Sequence, residues 1–171
     1  METIAYKTLK LIKNLLFCLA IISQLAISEE IFKITNPYGR EVILDLALTR
    51  SQQTKGLSGL KSNEFSSSRG MLFINSEIGP RRFWMLDTFF NLDIIFLDNN
   101  LKIVGIEKNV PSHPGPSEPP LIYKTETYLA QYVLETKAHA SFGIKLKKND
   151  QLKFSGPISL SEIGSSIRLK Q

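Results

Sequence analysis

Cysteine is almost missing from this sequence: the single one, Cys18, lies in an apolar run near the N-terminus. A disulfide framework is therefore excluded, and so is a cysteine-based zinc site. Histidine is nearly as scarce, with His113 and His139 the only two. Neither stands near a cysteine or a paired carboxylate motif, so no metal signature arises. Asp98-Asn99-Asn100 lacks the ligand spacing and the glycine of a calcium loop. A glycine-rich phosphate cradle is also missing, as are internal repeats and low-complexity tracts. No basic cluster interleaved with aromatics is present; the nearest thing is Lys145, Lys147, Lys148 and Lys153. That group reads as solvated surface, and nucleic acid is not an expected partner. No cofactor is implied.

What is present begins with an address. Met1 to Lys13 hold three lysines, Lys7, Lys10 and Lys13, against one acid, Glu2. An apolar run follows from Leu15 to Ile27, interrupted by Ser23 and Gln24, and ends in Ala26-Ile27-Ser28. Positive start, short apolar middle and small-x-small end make a secretory signal over residues 1–28. The run spans about thirteen residues, where a membrane crossing needs about twenty. An uncleaved anchor is the alternative, and it is the chain's one expected link to a membrane. Lipoprotein processing at Cys18 is disfavoured because Phe17 stands where a small residue is wanted. The segment carries a net +2 of the formal +5, so the exported body is only mildly basic, at about +3.

The remaining residues of a 171-residue chain suffice for one domain. Ile31 to Thr35 and Val42 to Leu48 alternate with period two around Asn36-Pro37-Tyr38-Gly39, predicting a β-hairpin. Thr49 can cap a short helix over Arg50 to Leu57. Ser62 to Ser68 is a loop, Gly70 to Ile74 a short strand, and Asn75 to Pro80 a turn. Leu92 to Leu97 and Leu101 to Ile106 form a second hairpin around Asp98-Asn99-Asn100. Five prolines between Pro111 and Pro120 forbid a sheet interior and predict an extended loop. Tyr132 to Glu135 and Leu152 to Phe154 read as strands, with one helical turn over Ala138 to Ile144. The expected fold is mainly β (α+β at the margin), a compact small barrel or sandwich with one or two short helices. The domain is expected over residues 29–156, followed by a loosely packed tail over 157–171.

Several residues carry possible chemistry. Asp87, Asp93 and Glu135 each border apolar runs. A pair of carboxylates about five to nine ångströms apart could hydrolyse a glycosidic bond, whereas buried acids more often accept backbone hydrogen bonds. Asp87-Thr88 is followed by Phe89 rather than the glycine that an acid protease requires. Gly56-Leu57-Ser58-Gly59-Leu60 fails as a hydrolase elbow because its second glycine falls one residue early. Trp84, with Phe83, Phe89, Phe90 and Phe96, could build a stacking platform, although core packing accounts for most of them. The candidate binding residues are Arg82, Trp84, Asp87 and Thr88, with His113 and Tyr123 in and beyond the proline loop.

Gly70-Met71-Leu72-Phe73, Phe83-Trp84-Met85-Leu86-Asp87-Thr88 and Leu92-Asp93-Ile94-Ile95-Phe96-Leu97 form a fairly specific series. Pro111, Tyr132-Val133-Leu134-Glu135 and Gly143-Ile144 continue it over roughly Arg40 to Phe154. In this the chain resembles the domain of unknown function 192 family. It departs at Leu86-Asp87, where the family has lysine-asparagine, at Ser58-Gly59-Leu60, and at Asn149-Asp150 in place of glycine-aspartate. The resemblance implies a compact, mainly β fold, often exported, and implies no activity. The expected role is that of a non-catalytic binding or accessory protein of the cell envelope, periplasmic or secreted. Its partner would be a small molecule, a glycan or an envelope protein. The rival is a hydrolase of an envelope polymer using Asp87 with Asp93 or Glu135.

Overall fold

The period-two alternation around Asn36 produces the first hairpin. In the computed structural model, which describes residues 31–168, β1 (Lys33–Thr35) runs antiparallel to β2 (Glu41–Ala47), Ile34 facing Val42. Asn36 organises the turn, its Oδ1 accepting the N–H groups of Tyr38 and Arg40 at 2.9 Å each. Thr49 then opens α1 (Arg50–Lys55) through a capping box: its hydroxyl accepts from Gln52 N–H, and Gln52 Oε1 accepts from Thr49 N–H. The export segment, with Cys18, lies outside the described residues.

After α1 the chain returns along β2, so that β3 (Arg69–Arg81) pairs with it in parallel, Leu44 beside Gly70. The turn expected over Asn75 to Pro80 is instead a bulge within β3. Side chains carry the pairing through it: Asn75 Nδ2 donates to Gln131 O, and Gln131 Nε2 donates to Asn75 O. β4 (Leu92–Leu97) and β5 (Ile103–Val110) form the second hairpin, with Asp98 Oδ1 accepting from Asn100 and Lys102. β6 (Tyr128–Lys137) inserts between β4 and β3, and β7 (Lys153–Ser155) joins the far edge beside β1. The strand order is β5-β4-β6-β3-β2-β1-β7. Ile103 N–H donates to Asp150 O and Leu152 N–H to Leu101 O, which curls the two ends of the sheet together. The result is the expected mainly β class, a curled half-barrel with two short helices.

All six residues of β4 are buried because both faces of the sheet are covered. Ile34 of β1, one strand from one end of the order, and Ile103 of β5, at the other end, belong to one apolar cluster with Leu72, Ile95 and Leu134. That cluster is the inside of the curl. The tail corrects the sequence expectation here: α2 (Leu160–Arg168) packs Ile163 and Ile167 into this cluster. Spacing of three and four residues along Leu160, Ile163 and Ile167 puts them on one helical face. The outside of the curl holds a second cluster of Phe73, Ile94, Phe96 and Val133, roofed by Leu57, Phe65, Met85 and Phe90. Segments 56–65 and 83–90 form this roof, and the candidate residues sit in it.

Candidate functional site

Side chains alternate faces along β6, so Glu135 follows Val133 onto the outside of the curl. Its cross-strand neighbours are Met71 on β3 and Ile94 on β4, both apolar. Glu135 is 5% exposed and its Oε2 has no hydrogen-bond partner. Burial in these surroundings pushes its carboxyl up to about 8.

Above it lies a recess of about 30 Å³, large enough for one or two waters. Phe73, Phe83 and Trp84 form its aromatic walls, and Gly56, Ser58 and Thr88 complete the rim. Phe73 and Phe83 meet edge to face with centroids 4.8 Å apart. Gly56 ends α1 with φ of 49°, a conformation costly for other residues. A Cβ there would stand 3.3 Å from the Phe73 ring and 3.8 Å from Glu135 Oε2, so glycine keeps the recess open. Ser58 and Thr88 hydroxyls both donate to Leu86 O, at 2.8 and 3.4 Å. Gln53, also on the rim, donates its Nε2 to Ala47 O and Ile74 O.

The structure divides the six candidate residues into three groups. Trp84, half exposed, and Thr88 line the recess. Asp87 and His113 hold the proline-rich loop in place. Asp87 Oδ1 accepts from Gly115 N–H, its carbonyl accepts from Gly59 N–H, and its φ of 54° suits this clamp. His113, 2% exposed, exchanges backbone bonds with Thr88, and its Nε2 lies 3.1 Å from Ser117 O. Arg82 and Tyr123 lie outside the recess: Arg82 Nε donates to Thr125 O, and Tyr123 donates to Glu107 Oε2 at 2.7 Å. That carboxylate bond raises the Tyr123 phenol to about 12. Of the aromatic pair, Phe90 is buried in the outer cluster and Phe89 is half buried under Lys61 Nζ, 3.7 Å from its ring centroid.

The acids do not converge. Asp93 is 3% exposed and accepts from Asn109 N–H at 2.8 Å, and burial raises its carboxyl. It faces the inside of the curl, away from Glu135. No second carboxylate lines the recess. Among the described residues no three His, Cys, Asp or Glu side chains group to hold a metal. A much larger groove, about 780 Å³, opens beside α2 between Leu101, Phe154 and Leu160. Its charged lining residues, Lys153 and Glu162, are exposed, and neither unpartnered buried polar side chain of the described residues lines it. Glu135 is legible in the sequence as an acid ending an apolar run and as one carboxylate of the hydrolase alternative, whereas Gly56 and Ser58 as rim residues are not. No local signal says that segment 56–60 folds over β6.

No curated protein matches this chain in sequence. A crystal structure from Sinorhizobium meliloti 1021, described as that of a proposed transcription regulator, is 28% identical with a TM-score of 0.58. The similarity covers 73% of this chain and 92% of that one. A protein of unknown function from Novosphingobium aromaticivorans DSM 12444 is 23% identical, also with a TM-score of 0.58. It shares the fold over 72% of this chain and 83% of its own. The model of DUF192, an uncharacterized ACR family, matches residues 33–154, from the start of β1 into β7. That match takes in the recess and well over half of the sequence: the chain belongs to the DUF192 family.

Proposed function

We propose that this protein is an exported, non-catalytic binding or accessory domain of the cell envelope, with the recess over Glu135 as its ligand site. One observation carries the reading. A buried carboxyl oxygen without a partner costs roughly 1–3 kcal/mol, and such groups are few in folded proteins. Here that oxygen belongs to a side chain lining an opening walled by aromatic rings, which a ligand with a complementary polar group would satisfy. Export is supported by the charge and hydropathy pattern of residues 1–28. The partner is a small molecule, or a glycan or envelope protein that inserts one small group.

The hydrolase reading finds some support in Glu135, whose raised carboxyl suits a general acid. It lacks a second carboxylate on the recess, because Asp87 is tied to Gly115 and Asp93 faces inward. Thermal-shift screening against envelope glycans, peptides and small polar compounds tests the two readings together. Stabilisation of the wild-type protein that is lost in Trp84→Ala, without turnover of the compound, is the expected result. Cleavage of a glycan that Glu135→Gln abolishes would overturn the binding reading. Mass spectrometry of the N-terminus, on protein from the extracytoplasmic fraction, tests export.

A further inference from the structure

We infer that the recess over Glu135 receives a primary ammonium group, with the carbon stem of the amine leaving past Trp84. The inference rests on the recess being a ligand site and adds the chemistry of its occupant.

The lining gathers several acceptors around Glu135. Ser58 and Thr88 spend their hydroxyl protons on Leu86 O, leaving oxygen lone pairs free. Gln53 spends its amide hydrogens on Ala47 O and Ile74 O, which leaves Oε1 as an acceptor. Glu135 adds an unpartnered carboxyl oxygen, an acceptor once its proton has left. These acceptors suit a ligand that brings donors.

The surroundings favour a donor that carries positive charge. Three aromatic side chains wall the recess, an apolar surround in which a carboxylate is strongly drawn to an opposite charge. The C-terminal end of α1, at Lys55 and Gly56, reaches its rim with the partial negative charge of a helix end. Among the described residues, the two ion pairs are Lys33–Glu41 and Arg69–Asp45, so no described cation pairs with Glu135. The β-strands beside Glu135 present Met71, Phe73 and Ile94, none of them titratable. Lys55 is the only other charged side chain on the lining; it is exposed and opposes a second cation. Volume chooses between cations. A space of about 30 Å³ with one unpartnered oxygen suits a compact ammonium better than the planar fork of a guanidinium. The amine could be a free alkylamine or a lysine side chain on a peptide; both present the same head.

Trp84 is the only tryptophan in the chain, so fluorescence excited selectively at tryptophan, apart from the five tyrosines, reports on the recess. The full chain is titrated with n-butylammonium, with Nα-acetyl-lysine N-methylamide, and with butyramide as a neutral control. Saturable change with either amine, and weaker change with butyramide, is the expected result. Apparent affinity should rise about tenfold from pH 7 to pH 9, because the Glu135 proton must leave before the ammonium pairs. Glu135→Gln should abolish the preference for the amine while remaining folded by circular dichroism, and Lys55→Ala should strengthen binding a few fold. Tighter binding of the lysine derivative identifies a peptide source, and tighter binding of butylammonium a free amine. Binding of butyramide alone would overturn the ammonium assignment and leave the recess standing as a ligand site. Silence of Trp84 toward all three probes would remove both. Equal amine binding by Glu135→Gln would place the cation elsewhere and overturn the inference.

Discussion

Asp93 and Glu135 sit one register step apart on neighbouring strands and point to opposite faces of the sheet. Asp93 is paired with Thr136, and Ile94 with Glu135. One residue of offset sends a side chain to the other face. Asp93 therefore lies inside the curl beside Thr136, whose hydroxyl is also unpartnered, and Glu135 lies under the outer roof. Two acids that look alike in the sequence cannot share a substrate.

Glu135 makes the stability of the protein depend on pH. Its carboxyl is raised from 4.5 to about 8, so the folded state holds the proton more tightly than the unfolded state. Stability is then unaffected below pH 4.5 and falls as pH rises toward 8. Relative to the wild type, Glu135→Gln should gain about 3 kcal/mol between pH 4 and pH 7, because a neutral side chain no longer ionises. Urea unfolding of both proteins at several pH values measures this, and parallel profiles would sink the argument.

Gly143 and Asp93 are coupled by contact. A Cβ at position 143 would collide with Asp93 Oδ2, and Asp93 is held from its other oxygen by Asn109 N–H. Gly143→Ala should cost about 1–3 kcal/mol in the wild type and clearly less in an Asp93→Ala background. Asp93→Ala alone should cost more than Asp93→Asn, which keeps an oxygen for Asn109. Additive costs in the double-mutant cycle would refute the coupling.

The C-terminal helix belongs to the core. Ile163 is 2% exposed and packs inside the curl with Leu72 and Leu134. Ile163→Ala should destabilise by about 2–4 kcal/mol, while Ser165→Ala, at an exposed position, should be nearly silent. Equal melting temperatures for the two variants would mean that α2 does not dock.

His113 anchors the proline-rich loop from inside. Its ring reaches Ser117 O, and its main chain is bonded to Thr88. His113→Ala should leave the global unfolding transition within about 1–2 kcal/mol of the wild type. Proteolytic cleavage within residues 114–127 should speed up, because the loop loses its internal tie. Unchanged cleavage would show that the ring does not hold the loop.

The amino-acid order alone determined much of the local structure. Alternation marked β1 and β2, apolar runs marked β4 and the start of β5, Asn36 and Asp98 marked their turns, and Thr49 marked the cap of α1. The tryptophan-methionine and leucine-aspartate-isoleucine strings marked the family. These signals survive in sequence because each depends on neighbours within about four residues. Trp84 and Thr88 could be flagged in the same way, as an aromatic and a hydroxyl beside apolar runs. Only the tertiary structure decided the rest. It placed β6 between β3 and β4, ran β3 parallel to β2, and docked α2 through isoleucines too sparse to stand out. Those choices gave Glu135 its apolar flank and brought Gly56 and Ser58 across it. Alternation fixes which residues of one strand share a face. Which strands lie beside it, and what covers that face, is set by burial between segments far apart in the chain.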